Sequence, residues 1–212
     1  MPVSSVSVNL AFLVELILGV MPGNVTVEGA WRDLRGHRLE RGSVLLARAA
    51  DGSAASWETV DFGDWFGYSN AQRRSYRTME LSSGHLLTSN SDAVTYRYKY
   101  YPPPLPAQAV GDPDCAEAVR RFDRSPGAPE SSGRMLGYRT VTYRFRRAAV
   151  TFAPDLGCPL LHLAAYTAGE WGLPERVETW EVTAIRHGVP DAKWFAPVGR
   201  LEDRPGDPYC AY

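Results

Sequence analysis

The sequence predicts a mainly β protein of the α+β kind, built on a largely antiparallel sheet with one or two short helices. Two observations predict this fold class. Segments in which apolar and polar residues alternate recur at hairpin spacing, and Gly-containing turns separate them. Helical segments are not interleaved with the strands, as the crossovers of a parallel sheet would require.

Composition and charge narrow the class of protein. Of the 212 residues, 44% are hydrophobic and 22% are charged, as in ordinary globular proteins. The 23 basic residues nearly balance the 24 acidic ones. That balance lacks the excess positive charge of a dedicated nucleic-acid-binding protein, so no nucleic-acid partner is expected.

An apolar segment, Val6–Met21, precedes the strands. It is too short and too often interrupted to cross a bilayer, so no integral membrane span is expected. Two interpretations stay open: a signal-like export segment, although no basic residue precedes Arg32, or a buried helix that ends at Pro22. The expected organisation is an apolar N-terminal segment, residues 1–23, followed by a single β-rich domain, residues 24–212.

Period-two alternation predicts the strands of the first half of the chain. Two hairpins are expected at the turns Asp51–Ser53 and Ser82–Gly84, which contain glycine between alternating segments. In the last strand of this half Tyr96 and Tyr98 share one face, because alternate residues of a strand point the same way. The predicted strands are Asn24–Trp31, Ser43–Ala49, Ser56–Phe62, Arg73–Leu81, Leu86–Ser89 and Ala93–Tyr101.

A proline run, Pro102–Pro104, ends the first half, because proline cannot donate to a sheet ladder. Asp114, followed three positions later by Glu117, predicts the capped start of a short helix, Cys115–Phe122. The Pro- and Gly-rich stretch Ser125–Gly133 is expected to be a loop. The remaining predicted strands are Gly137–Arg146, Ala148–Phe152, Leu160–Tyr166 and Arg176–His187.

Cys115, Cys158 and Cys210 lack the spacing of a zinc-binding motif, so no metal site is expected. The three cysteines allow three single disulfides. In an exported protein, a bridge from Cys115 to Cys158 would tie the short helix to the turn before Leu160; in a cytosolic protein the thiols stay reduced. Phosphate-binding, dinucleotide-binding and nucleophile-elbow motifs are missing, so no cofactor is expected.

Acid–base chemistry has one candidate set. Asp61 and Asp64 flank aromatic residues, and one of them could act with His85 or His162 if separate strands brought the side chains together. The simpler interpretation is a solvated loop at the two aspartates, a surface histidine at His85 and a core histidine at His162.

The arginines of two predicted strands form a second candidate. Arg73, Arg74 and Arg77 could combine with Arg144 and the arginines that follow it into a basic stripe for phosphate or anionic headgroups. Their interspersed apolar residues fit the outward face of a sheet equally well.

The aromatic residues of the strands are the candidate ligand-binding set: Tyr96, Tyr98, Tyr143 and Trp180. As cross-strand neighbours they could build an ordinary core. They could instead line an apolar cavity on the concave face of a curved sheet, where tyrosine hydroxyls would orient the polar end of a ligand.

The second half of the chain resembles a group of secreted bacterial β-rich proteins of unknown function. Three segments, taken in this order, carry the resemblance: Met135–Val141, Phe152–Leu160 and Arg186–Phe195. Arg48–Ser53 resembles their first hairpin. More loosely, the chain resembles the lipoprotein-carrier (LolA/RseB-like) superfamily, in which a curved antiparallel sheet wraps around helices and holds acyl chains. The resemblance implies a half β-barrel, a periplasmic or secreted location, and a disulfide between Cys115 and Cys158.

The function expected from these observations is a non-catalytic envelope binding or carrier module for an apolar, lipid-like ligand such as an acyl chain. The step from the resemblance to this function is an analogy of fold. Two alternatives stay open: an enzyme whose acid and base residues converge from separate strands, and a protein-interaction module. The expected location is periplasmic or secreted, with a cytoplasmic location left open by the atypical N-terminal segment.

Overall fold

Twelve strands form one open, curved sheet in the part of the chain that the computed structural model describes, namely residues 16–18, 20–21, 23–35, 38–62, 73–90, 93–99, 114–123, 127–168 and 174–205. The strands are β1 Val25–Arg35, β2 Arg38–Arg48, β3 Ala54–Phe62, β4 Arg73–Leu81, β5 His85–Ser89, β6 Val94–Lys99, β7 Ser131–Met135, β8 Tyr138–Phe145, β9 Ala148–Phe152, β10 Leu160–Ala168, β11 Pro174–His187 and β12 Arg200–Asp203. Residues 16–18 are helical, a second short helix, α1, spans Ala116–Val119, and 3-10 turns span Pro154–Leu156 and Ala192–Phe195.

The order of strands across the sheet is β12-β6-β5-β4-β3-β2-β1-β11-β10-β9-β8-β7. All neighbours are antiparallel except β6 and β12, which are parallel. The hairpin turns lie where the sequence predicts them, and Gly52 and Gly84 adopt the positive φ angles of 90° and 77° that such turns require. The mainly β fold class is confirmed, with a mixed rather than a purely antiparallel sheet.

Two strands arise where the sequence predicts none. Ser131–Met135, expected in part as a loop, is the exposed edge strand β7, whose polar residues pair only with β8. Strand β12 is held beside β6 by Thr95, whose hydroxyl donates to the Val198 carbonyl at 2.7 Å and accepts from the Val198 N–H at 2.9 Å. Both strands form through pairing with a neighbour rather than through their own hydrophobic pattern.

The predicted cap of the short helix is wrong. The residue that caps α1 is Cys115, in the left-handed conformation at φ 55°, and it makes no side-chain capping hydrogen bond. Asp114 instead presents its backbone carbonyl to the Tyr143 hydroxyl, at 2.6 Å. Glu117 pairs with Arg120 on the surface of the helix rather than with the helix start.

One face of the sheet carries the main hydrophobic core, and we call this the inner face. Directly opposed residues of neighbouring strands lie on the same face, so the pairing register shows which residues of each strand lie on the inner face. The core on the inner face is built from strands β1, β2 and β8–β11. Its largest fully buried side chains from these strands are Leu46, Phe152, Leu160, Leu161, Leu163 and Trp180.

The N-terminal segment and α1 cover this half of the inner face. Leu16–Leu18 are helical and buried, and Met21 is buried with them, all within the main core. The Arg48 side chain donates to the Leu18 carbonyl, which ties the segment to β2. Residues 1–15 lie outside the described part of the chain, so an export signal there stays a prediction.

A disulfide joins Cys115, at the start of α1, to Cys158, after the Pro154–Leu156 turn. Both half-cystines are buried in the main core, with Cα atoms 5.4 Å apart. The bridge implied by the family resemblance is therefore present, and Cys210 lies outside the described residues. No helix in the described part of the chain is long and apolar enough to cross a membrane.

A smaller cluster packs on the outer face, where Ala47, Ala55, Met79 and Leu87 meet the Ala192–Phe195 turn. The rings of Trp57 and Trp194 meet edge to face, with centroids 4.5 Å apart. The Arg77 guanidinium lies over the other side of Trp57, at 4.1 Å. Hydrophobic packing therefore covers the outer face of β2–β5 as well as the inner face of β1, β2 and β8–β11.

Candidate functional site

The structure places the four predicted ligand-binding residues on the inner face, in two groups. Tyr143 and Trp180 belong to the main core, where their exposed fractions are 3% and 0%. The Trp180 ring lies directly against Gly29, since a Cβ built there would come within 2.2 Å of the ring. Tyr143 is anchored by its hydrogen bond to Asp114. These two residues pack beneath the N-terminal segment and α1.

Tyr96 and Tyr98 lie on β6, near the opposite edge of the sheet, and both are half-buried. Tyr96 opposes Thr88, and Tyr98 opposes Leu86, so all four side chains share the inner face. Within the described residues, neither hydrophobic cluster includes an inner-face residue of β4, β5 or β6. The two tyrosines therefore lie outside the core that holds Tyr143 and Trp180.

The inner face of β3–β6, which we call the inner wall, combines aromatic, aliphatic and hydroxyl side chains. One row of hydroxyls crosses four strands in register, because Ser56 opposes Thr78, Thr78 opposes Thr88, and Thr88 opposes Tyr96. The Arg204 guanidinium lies 4.5 Å from the centre of the Tyr96 ring and limits the wall at its β12 edge. The described members of the inner wall are Ala54, Ser56, Glu58, Val60, Arg74, Tyr76, Thr78, Glu80, Leu86, Thr88, Val94, Tyr96 and Tyr98.

Trp31 connects the core to the inner wall. It opposes Trp180 on one side and Gly42 on the other. A Cβ at Gly42 would lie 2.6 Å from the Trp31 indole and 2.6 Å from the Thr59 carbonyl, so glycine is required there. The half-buried Trp31 ring lies flat across β2 and continues the aromatic surface towards β3.

Glu58 is one of three ionisable side chains of the inner wall, with Arg74 opposite Val60 and Glu80 opposite Leu86. Burial raises the pKa of its carboxyl, and the neighbouring indole of Trp31 acts in the opposite direction. A carboxyl with a raised pKa is more easily kept neutral beside apolar material. Glu58 was not selected from the sequence, because its position beside Trp31 depends on the register of β1, β2 and β3.

We predict that Glu58→Gln stabilises the protein more at about pH 7 than at about pH 4. The folded state raises the pKa of Glu58, so it binds more protons than the unfolded state over the range above the ordinary value, about 4.3. The free energy of unfolding of the parent chain therefore falls as pH rises through that range, and the glutamine variant lacks this loss. Urea unfolding at the two pH values measures the difference, and an equal effect at both would contradict the prediction.

A row of carboxylates lies on the inner face beside Trp31. The sequence pattern did not predict this row either. Glu178, Asp33 and Glu40 oppose one another across β11, β1 and β2. Arg176 neutralises part of the row: its Nε and Nη2 donate to the Asp33 carboxylate at 2.9 and 2.8 Å, and it also contacts Glu178. Asp33 and Glu178 are only 6% and 5% exposed. The pairing raises the pKa of Arg176, with the Asp33 hydrogen bond as the largest cause.

The predicted acid–base set does not come together among the described residues. Asp61 on β3 opposes Arg73 at the start of β4, whereas His85 on β5 opposes Leu81 at the other end of β4. His162 lies on β10, which three strands separate from β3 in the sheet order. His85 is held in its turn by the Ser83 hydroxyl at 3.1 Å. Asp64 lies outside the described residues. Across the described chain, no group of three or more histidines, cysteines or carboxylates is arranged to hold a metal ion.

The predicted basic stripe is divided in the same way. Arg77 lies on β4 and Arg144 on β8, seven places apart in the sheet order. Arg74 opposes Val60 on the inner face, whereas Arg77 opposes Trp57 on the outer face. Arg144 is paired with Glu130 at 2.8 Å. The side chain of Arg73 lies outside the described ones.

Solved structures resemble this sheet over most of the described length. The chain matches MucB in the Pseudomonas aeruginosa MucA/MucB complex with a TM-score of 0.43 and 14% identity, covering 88% of this chain and 59% of that one. It matches a separate crystal structure of MucB with a TM-score of 0.44 and 12% identity, covering 92% of this chain and 66% of that one. This chain therefore spans less than two thirds of the MucB chains.

A further match is the LolA superfamily protein NE2245 from Nitrosomonas europaea, with a TM-score of 0.29 and 11% identity, covering 90% of this chain and 98% of that one. The structures matched include proteins of the LolA/RseB-like kind that the sequence resembles. Comparisons with protein-family models and with curated proteins found no match. At these identities the likeness concerns the fold alone.

Proposed function

We propose that the protein is a non-catalytic binding or carrier module that holds an apolar, lipid-like ligand against the inner wall. The observation that carries the proposal is the division of the inner face into two halves. The half around Trp180 is filled by the protein's own residues, including Leu16–Leu18 and Val119. The half around Tyr96 and Tyr98 presents half-buried aromatic side chains outside the main core.

The chemistry of the inner wall favours a ligand with a long apolar part and a small polar end. Tyr96 and Tyr98 supply apolar surface, while the adjoining hydroxyls of Thr78 and Thr88 can hydrogen-bond a head group. Glu58, whose pKa is raised by burial, can supply a further polar contact. This combination suits a fatty acyl chain better than a highly charged metabolite.

We also propose a periplasmic or secreted location. The Cys115–Cys158 disulfide is buried within the main core and joins α1 to the β9–β10 connection. Disulfides of this structural kind form and persist in oxidising compartments and are rare in the cytosol of most organisms. The chain produced with an export signal is therefore expected to carry the bridge without added oxidant, as non-reducing peptide mapping can measure.

Replacing Tyr96 and Tyr98 together by Ala is expected to weaken binding of a fluorescent long-chain fatty acid about tenfold or more. Loss of two aromatic contacts at the centre of a binding surface typically costs at least about 1.4 kcal/mol of binding free energy, which is tenfold in Kd. Fluorescence titration of the purified chain provides the measurement.

Val189→Ala is the control for that titration, because it truncates an apolar side chain that is 84% exposed, follows β11, and belongs to neither the inner wall nor the main core. The control is expected to bind the probe as the parent does. Equal affinities for the parent and the Tyr96→Ala/Tyr98→Ala variant would exclude the inner wall as the binding site. Absence of saturable binding to the parent would contradict the carrier function itself.

A further inference from the structure

An exposed apolar row crosses the outer face near the β1–β2 and β8–β9 turns. Tyr166, Val177, Leu34 and Leu39 lie on β10, β11, β1 and β2, each directly opposed to the next. Tyr166, Leu34 and Leu39 are 46%, 40% and 43% exposed. Since these positions alternate with the inner-face carboxylates, they belong to the surface opposite the proposed ligand site. We call these four residues the outer row.

Arginines border the outer row on two sides. Arg32 and Arg41 oppose each other one outer-face position further along β1 and β2. Arg146 and Arg147 form the β8–β9 turn, and Tyr166 donates its hydroxyl to the Arg146 carbonyl and its backbone N–H to the Arg147 carbonyl. All four guanidinium side chains are exposed.

These arginines are not neutralised within the described part of the chain. The ion pairs of the described residues involve other arginines, such as Arg144 with Glu130 and Arg176 with Asp33. On the strand positions next to the outer row, the described acidic side chain is Asp61, which opposes Arg41 and is half-buried. Among the described side chains around the outer row, the four arginines therefore outnumber the carboxylates.

We propose that the outer row and its four bordering arginines form a docking surface for an anionic phospholipid membrane. Leucine and tyrosine side chains partition into the boundary between head groups and acyl chains, while arginines pair with lipid phosphates. Charge complementarity thus favours an anionic leaflet as the occupant.

The dimensions of the outer row also favour a lipid surface over a protein partner. Four adjacent strands span about 14 Å, with about 4.8 Å between neighbours. Among the described residues the outer row presents four side chains, whereas each partner contributes about 20–30 residues to a standard protein interface. The proposal goes beyond the proposed function, because it concerns the opposite face of the sheet and does not require a bound ligand.

Vesicle flotation tests the docking surface. The full chain is mixed with vesicles of phosphatidylcholine alone and with vesicles that also contain phosphatidylglycerol. Binding is expected only to the vesicles with phosphatidylglycerol, and it should weaken as salt screens the arginines. Arg32→Gln/Arg41→Gln is expected to lower the partition coefficient about 25-fold, or about fivefold for each arginine.

Two matched control variants distinguish a loss of vesicle binding at the outer row from the general effect of losing a positive charge or apolar surface area. Arg134→Gln removes an exposed arginine from edge strand β7, and Leu201→Gln changes a leucine that is 39% exposed on edge strand β12. Both are expected to float as the parent does, whereas Leu34→Gln should float less. Thermal unfolding of every variant confirms that it is folded.

Three results would overturn the proposal. One is equal binding of the parent to both kinds of vesicle, or to neither. Another is a folded Arg32→Gln/Arg41→Gln variant that floats as well as the parent. The third is concentration-dependent self-association of the parent that Leu34→Gln abolishes while vesicle binding is unchanged, which would assign the outer row to a second copy of the chain. Fatty-acid binding to the inner wall is measured separately, so either proposal can fail alone.

Discussion

Trp180→Ala is expected to lower the free energy of unfolding by about 3–5 kcal/mol, the range for truncation of a large buried aromatic side chain. Trp180 has no exposed surface and lies against Gly29 in the main core. Loss of its ring removes apolar contacts and leaves a cavity in the main core beside β1. Urea unfolding of the parent and the variant gives the difference.

A substitution at Gly29, the residue against which the Trp180 ring packs, provides a second test. Gly29→Ala places a methyl group within 2.2 Å of the Trp180 ring, so the ring or the strand must shift, and we expect destabilisation there too. Tyr166→Ala, at a residue 46% exposed, is the control and should change stability by less than about 1 kcal/mol. If Trp180→Ala unfolded at the same urea concentration as the parent and lost fatty-acid binding, Trp180 would line the ligand site instead of the core.

Removal of the disulfide has the second large effect. Cys115→Ala/Cys158→Ala is expected to lower the free energy of unfolding by about 4 kcal/mol. The bridge closes a loop with a sequence separation of 43 residues and so reduces the conformational entropy of the unfolded chain. Both cysteines also hold positive φ angles, 55° and 68°, which non-glycine residues rarely adopt. Without the bridge, α1 loses its link to the turn before β10.

Thermal and urea unfolding of this double variant, beside the parent with and without reductant, measure the contribution of the bridge. Cys210→Ala is the matched control, since it removes a cysteine and leaves the Cys115–Cys158 bridge in place. The control is expected to unfold with the parent, and the reduced parent with the double variant. A double variant as stable as the parent would show that core packing alone fixes α1.

The alternation of apolar and polar residues along the sequence was sufficient to predict most strands of the sheet. Alternation at Tyr96 and Tyr98, and again at Tyr143, placed those side chains on the correct face, because side-chain direction depends only on local period. The edge strands β7 and β12 were not predicted. Their residues form strands because β8 and β6 offer free hydrogen-bonding edges, and that depends on the tertiary arrangement.

The site was harder to predict than the fold. The sequence grouped Trp180 with Tyr96, although one is buried in the core and the other lies on the inner wall. What separates them is the packing of Leu16–Leu18 over one half of the sheet, a contact between distant parts of the chain. The carboxylate row of Asp33 and its neighbours likewise depends on the register of three strands, which no local spacing encodes.

Native mass spectrometry of the chain produced with an export signal tests the proposed function most directly. We expect discrete adducts of lipid mass on the parent, their removal by organic extraction, and their loss or marked reduction in the Tyr96→Ala/Tyr98→Ala variant, with Val189→Ala retaining them. A bare polypeptide mass for the parent, or adducts retained equally by the parent and the Tyr96→Ala/Tyr98→Ala variant, would contradict a lipid site on the inner wall.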